Sequence, residues 1–131
     1  MMATPSTAAA SATHSAETQP YWDAAARGTL LVKRCIDCQR LHHYPRALCP
    51  FCLSDRTEWQ PTSGQGTLYT YSVMRRVQVP YAIAYVRLDE GVTLMTNIID
   101  CDFDQLRIGQ PVRVVFVATE GGLSIPMFTP A

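Results

Sequence analysis

Apolar and polar positions follow different rhythms along the chain, and the changes of rhythm divide it. The opening stretch, MMATPSTAAASATHSAETQ, carries no aromatic and no branched aliphatic side chain. Such a stretch buries too little apolar surface to offset the entropy of ordering, so residues 1–19 are expected to form a disordered tail. Pro20-Tyr21-Trp22-Asp23-Ala24-Ala25-Ala26-Arg27-Gly28 predicts a short helix. Proline suits its first turn, the alanines propagate it, and Gly28 supplies a left-handed stop. A helix this short is marginal alone and must dock, through Tyr21, Trp22 and Ala25. Leu30-Leu31-Val32 then predicts a strand. From Gly64 onward the period is two. Residues 67–74 are rich in β-branched and aromatic types. Residues 81–88 place Ala82, Ala84, Val86 and Leu88 on one face and Tyr81, Ile83, Tyr85 and Arg87 on the other. Asp89-Glu90-Gly91 turns the chain into a partner strand over 92–99. Residues 103–108 suggest a helical turn or loop ending at Gly109. Val112, Val114 and Phe116 alternate with Arg113, Val115 and Val117, and 123–128 make a last strand whose Pro126 belongs at an edge or seam. Five short strands in about 65 residues, several joined at glycine, predict a mainly β chain closing into a small OB-like barrel.

Composition narrows the classes. The 131 residues carry eleven Lys+Arg and eleven Asp+Glu. That balance argues against a dedicated nucleic-acid binder, which carries a basic excess. No stretch approaches the roughly 20 apolar residues that span a bilayer, so no membrane role is expected. The absence of a secretory pattern points to the cytoplasm. In a reducing compartment, regularly spaced cysteines signify metal before disulfide.

The cysteines are so spaced: Cys35-Ile-Asp-Cys38, ten intervening residues, then Cys49-Pro-Phe-Cys52. Each C-x-x-C forms a knuckle whose sulfurs converge, and two knuckles supply four thiolates in the tetrahedron that structural zinc prefers. A rubredoxin-type iron site uses the same donors, so zinc and iron both remain open. The short gap, stiffened by Pro45 and Pro50, implies a compact hairpin. Neither C-x-x-C opens a helix within a βαβ unit, which disfavours a thioredoxin-like redox pair. Four thiolates close the shell. That leaves no position for substrate and no ligand role for His42 or His43, which are read as solvent-facing or structural. Cys101 lacks a partner cysteine and an adjacent histidine, against a nucleophilic role. Arg75-Arg76 and Pro80-Tyr81 lie in or beside the loop joining the first two barrel strands, either offering a cationic pair to phosphate or carboxylate or forming a solvated turn. The carboxylates Asp89, Glu90, Asp100, Asp102 and Asp104 are of the turn and surface kind. No acid–base or nucleophile–base pair suggests itself in a shared site.

Taken in order, the helix YWDAAARG, the ribbon CIDCQRLHHYPRALCPFC, SGQGTLYTYSVM, VPYAIAYVRLDEGVTLMTNI and the ending IGQPVRVVF with IPMFTP resemble a family of acyl-CoA-associated proteins that join a rubredoxin-like zinc ribbon to an OB-fold barrel. The resemblance covers about residues 20–130. One departure is Gln39, where the first knuckle of the family carries glycine. Another is His42-His43, in a variable stretch. The expected division is a disordered tail over 1–19, helix and zinc ribbon over 20–60 and OB-fold barrel over 61–131. The resemblance implies that Cys35, Cys38, Cys49 and Cys52 hold the metal. It implies an accessory, non-catalytic role beside a thiolase-fold enzyme, or a related hydratase or aldolase subunit, acting on acyl-CoA thioesters. Tyr21, Trp22, Arg75, Arg76, Pro80 and Tyr81 become candidate contacts to that partner or to acyl-CoA. Two other readings are a single-stranded nucleic-acid module stacking bases on Tyr69, Tyr71, Tyr81 and Tyr85 beside Arg75, Arg76, Arg87 and Arg113, and an iron electron carrier.

Overall fold

The computed structural model describes residues 15–131. The tail expected over 1–19 therefore falls, for residues 1–14, outside the described residues. Thr18 and Gln19 donate backbone hydrogen bonds to the Ser15 carbonyl, and this turn leads into helix α1 (Gln19–Ala26). Pro20 sits in the first turn, where its missing N–H costs nothing. At the other end Gly28, at φ +83°, donates to Ala25 while Thr29 donates to Ala24 at 2.9 Å. These paired bonds satisfy carbonyls that the helix end would otherwise strand. The helix buries Tyr21, Ala24 and Ala25, leaves Trp22 half-buried, and packs on the first and last strands of the fold.

Those strands belong to two sheets. In the first, β1 (Leu31–Cys35) lies between β2 (Leu41–His42) and β3 (Thr57–Pro61), antiparallel to both. The strand expected at Leu30-Leu31-Val32 thus continues to the first cysteine. Neither β2 nor β3 is signalled by hydrophobic period. The second sheet is a closed barrel of β4 (Gln65–Met74), β5 (Tyr81–Leu88), β6 (Thr93–Ile98), β7 (Pro111–Ala118) and β8 (Ser124–Pro130). Its neighbours run β4-β5-β6-β8-β7, and β4 returns to pair with β7. All pairings are antiparallel except β6 with β8, which meet at Ile98 and Phe128. This is the five-stranded OB-type barrel expected from the alternation.

Two local features let ten-residue β4 serve two neighbours. A bulge at Tyr69 bends it between Leu68 and Thr70. Gly66 lies so close to β5 that a Cβ there would stand 2.6 Å from the Arg87 carbonyl oxygen. On β5 the expected inward set, Ala82, Ala84, Val86 and Leu88, is buried at 1% exposure or less. On β8, Met127, Phe128 and Thr129 are buried in succession, as a strand with α1 packed on it requires. Pro126 pairs with Phe116 of β7 in the part of β8 that has no β6 partner, where a residue without an N–H is tolerated. A 3-10 turn over Phe103–Gln105 occupies the stretch read as helical turn or loop, and Leu106 behind it is buried. Tyr71 donates its hydroxyl to the Leu106 carbonyl at 2.9 Å and ties this connection to the barrel.

One apolar cluster runs through both sheets, from Tyr21, Leu30 and Val32 to Leu68, Val86, Ile98, Val112 and Phe128. No helix among the described residues is long and apolar enough to cross a membrane.

Candidate metal centre

Two knuckles of matching construction carry the cysteines. In the first, the Gln39 N–H donates to the Cys35 carbonyl and the Cys38 N–H points at Cys35 Sγ at 3.4 Å. In the second, the Leu53 N–H donates to the Cys49 carbonyl and the Phe51 N–H points at Cys49 Sγ, again at 3.4 Å. Each closes with a residue in the left-handed region, Gln39 and Leu53 both at φ +67°. The first anchor is the end of β1, whose Cys35 N–H bonds the Arg40 carbonyl; the Cys49 N–H bonds Ser54 in the same manner. Arg56 ties the knuckles together by pairing with Asp37 at 2.9 Å.

The four sulfurs of Cys35, Cys38, Cys49 and Cys52 lie within 4.8 Å of one another, with Cys35–Cys52 and Cys38–Cys49 at 3.6 Å. Metal–sulfur bonds of about 2.3 Å in a tetrahedron put sulfurs about 3.8 Å apart. The donor set fits a metal of zinc's size. Its electrostatics agree. The Cys38 N–H is the main influence drawing the Cys35 thiol down to about 7. Burial of Cys49 is outweighed by N–H groups of Cys52 and Phe51, and its thiol is lowered too. Cys52 moves the other way: a Ser54 N–H favours its thiolate, but desolvation and the three neighbouring sulfurs push it up to about 12. Cys38, helped by Arg40 but opposed by desolvation and by Cys49 and Cys35, is also raised. Cys35 and Cys49 are lowered while Cys38 and Cys52 are raised, and a cation at the centre would favour the thiolate form of all four.

Of the two histidines, His42 is buried and His43 half-buried. His42, on β2, is buried with both ring nitrogens lacking hydrogen-bond partners. Burial, with Lys33 and Arg46 nearby, lowers its pKa. His43 Nε2 and Tyr21 Oη are hydrogen-bonded at 2.9 Å, which fastens α1 to the ribbon; burial holds His43 down to about 4. Tyr21 is thus committed to the interior, with Trp22 edge-on against it at 5.0 Å. The other candidate contacts lie elsewhere, on the β4–β5 connection: Arg75 pairs with Asp104 at 2.7 Å, Arg76 and Pro80 are exposed, and Tyr81 opens β5. Cys101 is half-buried against the core, its thiol raised by burial, outside the four-sulfur cluster.

Sequence reasoning missed a cleft of about 500 Å3 beside the second knuckle, lined by Glu17, Tyr44, Arg46, Leu48 and Leu53 among others. The available signal was a run of large apolar residues inside a loop of otherwise polar character. Of the tyrosines named as base-stacking candidates, Tyr69 and Tyr85 are exposed on the barrel, with the Arg87 guanidinium 5.7 Å from the Tyr69 ring.

Comparison with known proteins gives consistent matches. Residues 22–58 match the family model described as ChsH2, rubredoxin-like zinc ribbon domain, and residues 59–117 match ChsH2, C-terminal OB-fold domain. A DUF35 domain-containing scaffold protein of Methanocaldococcus jannaschii is 36% identical over 98 residues, covering 69% of each chain. A "Probable enoyl-CoA hydratase alpha subunit" of Thermomonospora curvata is 33% identical over 116 residues, 85% of this chain. The chain spans only 36% of that relative's length. Among solved structures, one described as an Ltp2-ChsH2(DUF35) aldolase superimposes with a TM-score of 0.78 at 30% identity, covering 91% of this chain and 98% of that one.

Proposed function

The chain belongs to the ChsH2 (DUF35) family of zinc-ribbon and OB-fold proteins, and from that premise we propose that it is the scaffold subunit of a thiolase-like enzyme complex acting on acyl-CoA thioesters. One observation carries the reading: the ribbon-then-barrel order matches a chain of an Ltp2-ChsH2(DUF35) aldolase along nearly its whole length. Relatives named as scaffold proteins and as an acyl-CoA hydratase subunit support the same class of role. In this reading the carbon–carbon or hydration chemistry belongs to the partner, and this chain organises the assembly.

Cys35, Cys38, Cys49 and Cys52 hold zinc. The ion supplies no chemistry to substrate; it crosslinks two knuckles whose own strands are too short to fold unaided. Metal analysis distinguishes the ions, since iron in four thiolates would colour the protein and revive the electron-carrier reading. Affinity purification from the native host, at native expression, tests the main proposal. A thiolase-fold, hydratase or aldolase subunit recovered with the chain is the expected result, and recovery of none of these would defeat it. A second reading rests on exposed Tyr69 and Tyr85 beside Arg87, an arrangement suited to stacking single-stranded bases. No retardation of single-stranded oligonucleotides at low salt would dispose of it.

A further inference from the structure

We propose that the tip of the ribbon is the surface that docks the partner enzyme, with Leu53 inserting into it next to a carboxylate that pairs with Arg46. The inference rests on the scaffold reading above and deepens it.

Leu53 fits neither its backbone nor its surroundings. At φ +67° its Cβ crowds the following carbonyl, a strain that glycine escapes, and 73% of the residue is exposed to water. Gln39 holds the matching place in the first knuckle at the same φ, but its amide donates to the Ile36 carbonyl at 2.7 Å and accepts from Arg34. Leucine recovers nothing comparable. Glycine would suit the turn and a polar residue would suit the solvent. A leucine suits a covered surface, and strain retained at an exposed position points to function.

Its neighbours extend the argument. Tyr44, Leu48 and Phe51 are also about half exposed or more, so the segment around the second knuckle exposes several large apolar side chains rather than one. Tyr44, Leu48 and Leu53 border the cleft of about 500 Å3. Charge selects the occupant. Glu17 and Arg46 both border the cleft, but the Glu17 carboxylate already accepts a hydrogen bond from the Ala47 N–H at 2.5 Å, whereas the Arg46 guanidinium has no ion-pair partner among the described residues. Arg46 is therefore the group left to meet an Asp or Glu beside an aliphatic side chain of the partner.

The test measures binding of the full-length, metal-loaded chain to the purified acyl-CoA enzyme subunit that it captures, by calorimetric titration. Wild type is compared with Leu53→Gly, Leu48→Ser and Arg46→Glu, recording metal content and thermal midpoint for each. Leu53→Gly is expected to keep its metal and a midpoint no lower than wild type, because glycine relieves the turn, while binding about tenfold more weakly or worse. Arg46→Glu should weaken binding by a similar factor. If all three variants bind within about twofold of wild type, the docking surface lies elsewhere and the inference is overturned. Loss of self-association with unchanged enzyme binding would assign the tip to a second copy of the chain and overturn it equally. Failure of the wild-type chain to capture any such subunit is a different result: it removes the scaffold reading itself, and the docking surface with it.

Discussion

Cys35 and Cys49 anchor the two knuckles, each receiving an N–H on its sulfur and closing a turn on its carbonyl. Replacing either with serine removes a donor and leaves three thiolates that repel one another. Cys35→Ser and Cys49→Ser are expected to lose the bound ion almost completely and to lose the ribbon's cooperative melting, because ligation energy is folding energy in so small a unit. Metal content near wild type in either variant would refute the four-cysteine assignment. Tyr21→Phe is milder. It leaves the part-buried His43 nitrogen without its partner and should cost about 0.5–1.5 kcal/mol by chemical denaturation. These two sites also show what a sequence reveals at this scale. The cysteines are legible because knuckle spacing is local, three positions apart within each pair. The Tyr21–His43 bond joins residues 22 positions apart, and no local rule connects them. The left-handed turn at Gln39 was foreseeable from the glycine of the resembling family. Its equivalent at Leu53 was not, since leucine carries no turn signature.

Strands divide in the same manner at the scale of elements. β5 reads off its alternation because one face is core and the other is solvent. β2 is two residues long, and β3, Thr57–Pro61, mixes half-buried and exposed positions on both faces, so neither has a period to read; pairing with β1 makes them strands. The approach of β4 to β5 yields a sharp prediction. Gly66→Ala would force a methyl group to 2.6 Å from the Arg87 carbonyl oxygen and 2.9 Å from Val86 Cγ1. A loss of about 1–3 kcal/mol is expected, as overpacking gives, and an unchanged unfolding midpoint would show that the strands can separate freely there. The contact of helix with ribbon is sensitive to acid. Burial depresses His43 from 6.5 to about 4, so the neutral ring is the form that folds. Between those values the unfolded chain binds a proton that the folded chain refuses. Stability from this group is therefore complete above pH 6.5, falls as pH drops towards 4, and levels off below; His42 is shifted the same way. His43→Gln should flatten the slope of unfolding free energy over this window, measured at pH values where metal content is unchanged.

For the molecule as a whole, the shared core matters more than the division into ribbon and barrel. Leu30 and Val32, on and beside β1, lie in one cluster with Phe128 of β8 and Val112 of β7, and the Thr62 N–H and hydroxyl both bond the Leu30 carbonyl where ribbon passes to barrel. Loosening the knuckles therefore loosens the barrel's cover. Stripping the ion with a strong chelator should lower the thermal midpoint of the entire chain by more than about 10 °C in one transition, the equivalent of a few kcal/mol at this size. Two separated transitions would show independent units. The balanced charge of eleven basic and eleven acidic residues suits a protein whose surfaces are spent on another protein. The most direct measurement of that claim is native mass spectrometry of the chain purified from its own host. A heteromeric mass is predicted, composed of this chain, an acyl-CoA enzyme subunit of thiolase-like, hydratase or aldolase type, and one zinc ion per copy of the chain. A chain that flies alone, with a different metal, or bound to nucleic acid would contradict the account.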